Sequence, residues 1–366
     1  MRSKFLRVLL LVTAIALVGF VVACGGDDDD DTTSGDTTTE DTGGEEVAAV
    51  EFTGSLEEGV PNCYEEPSED SLTIGFANPL DANETVNFER RAIQLEIEAL
   101  GGEILNLDAE GDVDKQVSDV EQMIAQEVDA IIAFPLDAEA LRPVLENAQE
   151  AGIPTVGIEA DLTSTDPGAG YDTQVWQQRD RMSYLQAQAA AEIMEPGAEF
   201  AQIGFAVAVP TIEFQIERAG FWGEEFGLVP GNRADNPSDD IAGGEEAMTE
   251  ILGTSPDVGG LIAYNEESAT GANAATRQQG VDIPLVGNNG GSLGFDSVSS
   301  GAIDATVQIP VPDVGRCAVW GAYDLVQGVD VPPTVLAGEP ALITAETIDT
   351  VTPWEDTLNE RYGKTE

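Results

Sequence analysis

LTIGFANPLDANETVNFERRAIQLEIEALGG, residues 72–102, holds a buried strand, a turn and an amphipathic helix in succession. Leu72 to Ala77 is a short apolar run of the kind that lies inside a sheet covered on both faces. Phe88, Ala92, Leu95 and Ala99 follow at spacings of four, three and four, which makes one helical face, and Gly101-Gly102 ends it. The same unit then recurs. Glu103–Asp108 reads as a strand, Val117, Val120 and Ile124 mark a helix, and Ala130–Phe134 is a strand closed by Pro135. Leu141–Ala151 makes another helix stopped by Gly152, and Thr155–Ile158 a fourth strand. Repeated strand–helix–strand units imply a parallel sheet with helices on both faces.

The rhythm restarts after Tyr171. A long helix is expected from about Gln174 to Met194, then strands at Phe200–Val207, Gly260–Tyr264, Leu285–Gly287 and Thr306–Ile309. Leu342–Ile348 reads as a strand after a proline-rich bend, and Trp354–Tyr362 as a terminal tail or helix. The fold class expected is α/β, with two doubly wound parallel-sheet lobes, each carrying a crevice at its strand C-termini. A chain of 366 residues is also longer than one core usually supports.

Composition excludes several functions. Lys and Arg number 15 against 69 Asp and Glu, a net charge of −54, which repels phosphate backbones and anionic headgroups. Nucleic-acid binding is therefore not expected. The chain has no histidine, and so lacks the usual general base and the commonest zinc ligand. With 69 carboxylates, any chosen pair is poor support for acid–base catalysis. Asn288-Asn289-Gly290-Gly291-Ser292 has neither the lysine nor the spacing of a phosphate loop. No catalytic residue, metal or cofactor is expected.

The N-terminus reads as an address. Arg2, Lys4 and Arg7 precede the apolar run Val8–Ala23, the pattern of a secretory signal peptide over residues 1–23, although the run approaches the length of a short membrane span. Val21-Val22-Ala23-Cys24-Gly25 resembles the bacterial lipobox, which would make Cys24 the lipidated first residue of the mature protein. Five aspartates, Asp27–Asp31, follow, and no Lys or Arg occurs between Arg7 and Arg90. Residues 24–70 are accordingly expected to form an acidic, disordered tether.

Ile74-Gly75-Phe76-Ala77-Asn78-Pro79, Ala151-Gly152-Ile153-Pro154-Thr155-Val156 and Ala263-Tyr264-Asn265-Glu266 resemble landmarks of the type I, ribose/galactose-type periplasmic binding proteins. Gly280 to Gly287 and Leu342-Ile343-Thr344-Ala345-Glu346 add to the resemblance, which covers about residues 71–350. It implies two lobes joined by a three-crossing hinge: 71–171 with 309–338, and 172–308 with 339–350, leaving 351–366 as a tail. It further implies a monomeric, extracytoplasmic, lipid-anchored sugar-binding receptor that closes on a sugar or polyol and delivers it to an ABC permease. A sensor of the same fold acting on a membrane kinase or chemoreceptor is the alternative. A carboxylate-based secreted glycosidase is the more remote one.

Carried over position by position, the resemblance implies ligand roles for Arg218 and Asn265, whose guanidinium and amide suit vicinal hydroxyls. Asn289 and Glu159 retain polar partners, and Tyr171 lies near the first crossing. Phe134 and Trp176 are read as packing. The ribose-type contacts of the first loop are missing around Asp81-Ala82-Asn83-Glu84, so the solute need not be ribose or galactose. The resemblance also places Cys63 and Cys317 in one lobe, where export would favour a disulfide between them.

The lipobox reading gives a first prediction. Cys24→Ala should leave the protein uncleaved or shed, because stable anchoring takes two acyl chains and the variant has no thiol to begin the lipidation. Fractionation of cells expressing the variant tests it; unchanged, mature, membrane-bound protein would overturn the reading.

Overall fold

The computed structural model describes residues 50–54, 58–160, 170–206 and 209–363. The expected signal peptide, Cys24 and the tether as far as residue 49 lie outside the described residues. No helix among the described residues is long and apolar enough to cross a membrane.

Two six-stranded sheets organise the body. The first comprises β1 (Thr73–Asn78), β2 (Glu103–Asp108), β3 (Ala130–Ala133), β4 (Thr155–Ile158), β5 (Thr173–Trp176) and β11 (Thr334–Leu336), in the order β11-β5-β4-β3-β1-β2. All its pairings are parallel. The second comprises β6 (Glu199–Phe205), β7 (Val229–Asn236), β8 (Gly260–Ala263), β9 (Leu285–Val286), β10 (Ala305–Gln308) and β12 (Ala341–Thr344), in the order β12-β10-β9-β8-β6-β7. Its last edge, β10 with β12, is antiparallel.

Side-chain alternation decides where the cores sit. In β1 and β3, Ile74, Phe76, Ala130 and Ile132 pack on one face of the first sheet, against helices α1 (Glu84–Ala99) and α9 (Val311–Val326). Their neighbours Ala77, Ile131 and Ala133 point to the other face, against α2 (Val113–Ala125) and α3 (Ala138–Glu150). The second sheet repeats the plan. Ala201, Ile203, Leu261 and Ala263 face α6 (Ile241–Thr254) and α7 (Glu266–Gln279), while Phe200 and Ile262 face α4 (Arg179–Ile193) and α5 (Pro210–Glu225). Each large apolar side chain so buried stabilises the fold by roughly 1.5–3 kcal/mol.

The structure departs from the sequence reading at β5 and at the C-terminus. Thr173–Trp176 is not the start of a helix: it is β5, paired between β4 and β11, so the first crossing falls at Gln177-Gln178 rather than at 171/172. The residues after Gln308 return to the first lobe as α9, and β11 and β12 lie on either side of the third crossing. The segment after residue 350 is no loose tail. It forms α10 (Trp354–Tyr362), which packs on α1 and α9 and makes a fourth passage between lobes.

The expected tether is also engaged with the body from residue 50 onward. Tyr184 Oη donates to the Val50 carbonyl at 2.8 Å, and the Phe52 ring lies 5.3 Å from Tyr184 and 5.6 Å from Trp222. Leu336 N donates to the Pro61 carbonyl at 2.9 Å, and Cys63 is bonded to Cys317 on α9.

That bridge closes 254 residues of sequence, so on the chain-entropy model its loss costs about 5 kcal/mol, and less where strain offsets the gain. Two measurements check it. Alkylation of denatured protein without reductant should add no label at Cys63 or Cys317, and Cys317→Ser should lower Tm by several degrees.

Candidate functional site

The C-terminal ends of the two sheets face a cavity of about 140 Å³. This is where a doubly wound sheet leaves its crevice. Larger hollows exist, of about 640 and 510 Å³. They are open grooves: one lies beside the hinge near Phe52 and Arg181, and the other at residues preceding β3 and β4, the strand ends opposite the crevice. Size alone therefore does not locate the site.

From the first lobe come Asn83, Thr85, Val86 and Phe134. Asn83 caps α1, its side chain accepting from Val86 N at 3.3 Å, so helix capping also fixes it at the cavity lip. Phe134 follows β3 directly and packs partly into the core beneath.

The first crossing supplies Gln177 and Arg179. Arg179 is 9% exposed, and its fork is held on three sides. Nε donates to Glu159 Oε2 at 2.6 Å, Nη1 to Gln215 Oε1 at 2.8 Å and Nη2 to Gln177 Oε1 at 3.1 Å. Glu159 is 2% exposed, stands at φ 52° just past β4, and also accepts from Gln177 N at 2.5 Å. A guanidinium has five N–H groups, so this arrangement leaves two for a ligand.

The second lobe contributes Ile212, Asp239, Tyr264, Asn265 and Asn289. Asn265 caps α7, accepting from Ser268 N, and its Nδ2 donates to Asp239 Oδ1 at 2.9 Å. Tyr264 Oη donates to the same oxygen. Burial raises the Asp239 carboxyl above its ordinary range, and the two donors act against that rise. Burial, reinforced by the Asp239 charge, pushes the Tyr264 phenol far up, so it stays a donor.

Asn289 sits at φ 115°, its N–H on the Val307 carbonyl (3.0 Å) and its carbonyl on Ile309 N (2.9 Å). Gly290 beside it, at φ +69°, presses on Gln308: a Cβ there would stand 2.2 Å from the Gln308 backbone, so only glycine fits. Glu266 holds this loop from below, accepting from Gly290 N and from Thr306 Oγ1 at 2.8 Å.

Of the residues singled out from sequence, Asn265 and Asn289 line the cavity, and Glu159 lies beneath it, orienting Arg179. Two are corrected. Arg218 is not in the cavity. It lies three residues, about 4.5 Å, further along α5 than Gln215, and there pairs with the buried Asp180 at 2.6 Å and covers the Phe221 ring at 4.1 Å. Asp180 also accepts from Trp222 Nε1, so the site is a structural ion pair. Tyr171 faces the first lobe's core, its ring 3.0 Å from where a Cβ on Gly157 would stand.

Arg179, Gln177 and Asp239 were missed. Reading Thr173 and Val175 as the alternate positions of a strand would have put Gln177 to Arg179 at a strand C-terminus. The described residues hold no cluster of three or more His, Cys, Asp or Glu placed to bind a metal.

The periplasmic binding protein domain family matches residues 74–330. The ribose import binding protein of Bacillus subtilis (strain 168) is 29% identical over 270 residues, 73% of this chain and 85% of that protein. A periplasmic solute binding protein from Actinobacillus succinogenes, solved with bound D-allose, superposes with a TM-score of 0.70 at 21% identity, covering 77% of this chain and 100% of its own. A solute binding protein from Bacillus halodurans, solved with myo-inositol, gives 0.68 at 21% identity over 78% and 98% of the two chains.

Behind the cavity floor, Glu89 on α1 is fully buried and both its carboxyl oxygens lack a hydrogen-bond partner. Burial pushes it up to about 8, the Glu159 charge adds to the rise and Arg179 opposes it. A carboxyl raised above its unfolded value leaves stability intact at low pH and costs stability as pH climbs through the folded value. The Tm of Glu89→Gln minus that of the unsubstituted protein should therefore grow between pH 4.5 and 8. A constant difference across that range would show that the folded state does not raise the Glu89 carboxyl above its unfolded value.

Proposed function

The chain belongs to the periplasmic binding protein domain family, and from that premise we propose that it is the extracytoplasmic solute receptor of an ABC importer, taking a small neutral sugar or polyol. The cavity between the sheet ends supports the reading: Arg179, Asp239, Asn265 and Asn289 converge there around an apolar floor of Phe134, Val86, Ile212 and Ile309. Amide groups both donate and accept, a carboxylate accepts, and a guanidinium donates in a plane. Together they suit a molecule with hydroxyls on several sides and an apolar ring or chain face. At about 140 Å³ the cavity is below the roughly 300–1,000 Å³ of drug-sized pockets.

Charge supports a neutral solute. Among the described residues the one cationic side chain at the cavity, Arg179, is balanced by Glu159 at 2.6 Å, and Asp239 adds a carboxyl. Anionic sugars would meet net repulsion. In this reading the protein is a carrier and not an enzyme. Cys24 lipid would hold it at the outer face of the membrane, the lobes would close about the hinge on the solute, and the closed monomer would dock on a permease.

A thermal-shift screen over pentoses, hexoses, polyols and purine nucleosides tests the ligand class. A binder at a hundredfold excess over Kd stabilises by about 2.7 kcal/mol, several degrees of Tm. Calorimetry with the best binder should then show a tenfold to hundredfold loss of affinity in Arg179→Ala, about 1.5–3 kcal/mol for a charged hydrogen bond. Arg218→Ala should keep its affinity and lose stability. No shift with any solute, or full affinity in Arg179→Ala, would sink the proposal.

A further inference from the structure

The C-terminal helix and the residues before it lie outside the cleft and have no part in the reading above. After a short 3₁₀ turn at Ile348–Thr350, the chain leaves the second lobe and Trp354 enters a small core of Met182, Val307, Ile309 and Val311, with Phe88 packed at its edge. These residues come from both lobes and from the second crossing. Trp354 is 3% exposed, and its ring lies 5.4 Å from Phe88.

The polar contacts are directed at the crossing itself. Trp354 Nε1 donates to the Ile309 carbonyl at 2.8 Å, and Gln308 Nε2 donates to the Thr352 carbonyl at 3.2 Å. Arg361 Nη1 reaches the Pro312 carbonyl at 3.1 Å and its Nη2 reaches Asp313 at 2.9 Å. The rest of α10 is fixed to α1. Arg91 binds Glu355 through two hydrogen bonds, of 2.7 and 3.1 Å, and Tyr362 donates to Glu96.

From Ile309 the path to the cavity is one residue long. Ile309 lines the cavity with its side chain, and its N–H donates to the carbonyl of Asn289, whose own N–H is held by Val307. Asn289 adopts φ 115°, a backbone state that an unbranched amide tolerates but does not hold unaided. On the far side of Trp354 a second cavity, about 230 Å³, separates it from Ser292 and Phe295, at the start of α8 (Ser292–Ser300). The indole is thus fastened to the crossing and to both lobes, with Phe88 on one side and Met182, Val307 and Gly291, where an added Cβ would stand 3.2 Å from the ring, on the other.

We propose that α10 clamps the second crossing, and that Trp354 is a positioning residue that holds the Ile309 backbone and, through it, the strained Asn289 at the cleft. The proposal rests on the receptor reading for the meaning of the cleft, and its test does not use a solute.

Amide hydrogen exchange of the full chain without ligand, in Trp354→Phe, decides the matter. That variant keeps a ring against Phe88 and loses the N–H to Ile309. Exchange at Asn289 and Ile309 should speed up about five- to tenfold, the worth of one hydrogen bond, with β1 and β3 unchanged. Arg91→Gln, which removes the bonds to Glu355 and the cation over the Phe88 ring but leaves the Trp354 N–H on Ile309, should give the same pattern at smaller amplitude. Exchange at 289 and 309 within twofold of the unsubstituted protein would overturn the proposal. So would a uniform rise across both lobes, the mark of plain destabilisation. Should Trp354→Phe fail to fold, Arg91→Gln alone decides by the same pattern. A failure here with a solute found, or the reverse, separates this inference from the functional one.

Discussion

One buried ion pair, Glu159 with Arg179, fixes the relation between the lobes and the cleft. Glu159 closes β4 of the first sheet and Arg179 opens α4 of the second lobe, so the pair spans the first crossing. Removing two charges from water costs several kcal/mol each, and attraction offsets that only where the remaining donors and acceptors are satisfied. Here Glu159, Gln215 and Gln177 satisfy all but two of the guanidinium N–H groups, and the Gln177 backbone donates to the carboxylate. The pair is therefore better understood as a device for geometry than as a source of net stability. Its arrangement leaves Arg179 pointing at the cavity with donors to spare, and its carboxylate adds to the burial that raises Glu89.

Much of this follows from which sheet end each residue occupies. A parallel sheet places its strand C-termini side by side, and two such sheets with those ends facing one cavity bring two rows of loops together. Loops then carry the chemistry while strands carry the core. Asn83 and Asn265 show how economically this works, since each caps a helix and lines the cavity with one side chain. Replacing either would disturb both roles at once. Below the second lobe's loop, Glu267 is raised to about 6 by burial, with Asp239 and Glu84 adding repulsion. The carboxylates near the cleft thus resist a further negative charge, which is the local form of a surface whose net charge is −54.

The fold was legible where the pattern was regular. β2 and β4 fall on the residues expected from sequence, and α1 presents its expected buried Ala92. It failed where a polar sequence was overruled by its partners. Thr173-Gln174-Val175-Trp176 runs without a break into a glutamine-rich helix, and only pairing with β4 and β11 makes it a strand. The acidic residues from 50 to 70 read as tether because nothing in their composition reveals that Phe52 has an aromatic slot, and Cys63 was paired with Cys317 only through the family resemblance. Site residues were legible where a turn followed a recognisable strand, as at Asn265 and Asn289. Arg218 misled because a cation on a helix near a cleft looks the same whether it faces a ligand or a buried Asp180.

Backbone strain ties these observations together. Among the described residues, six non-glycine positions have positive φ, and four of them, Glu159, Gln178, Asp239 and Asn289, stand at the cleft or its first crossing. Such conformations cost of order 1 kcal/mol each and persist only where the surroundings over-determine them. Each of the four is over-determined. Glu159 is held by Arg179, Asp239 by Tyr264 and Asn265, Asn289 by Val307 and Ile309, and Gln178 by the Gly338 carbonyl on the third crossing. A strand that ended in ordinary extended backbone would carry its next side chain past the cleft. Turning through the left-handed region lets Asp239 and Asn289 line the cavity and sets Glu159 beneath it. The strain is thus spent on aiming polar groups at a small volume, and at Glu159 and Gln178 the hydrogen bonds that enforce it also tie the chain together at the crossings.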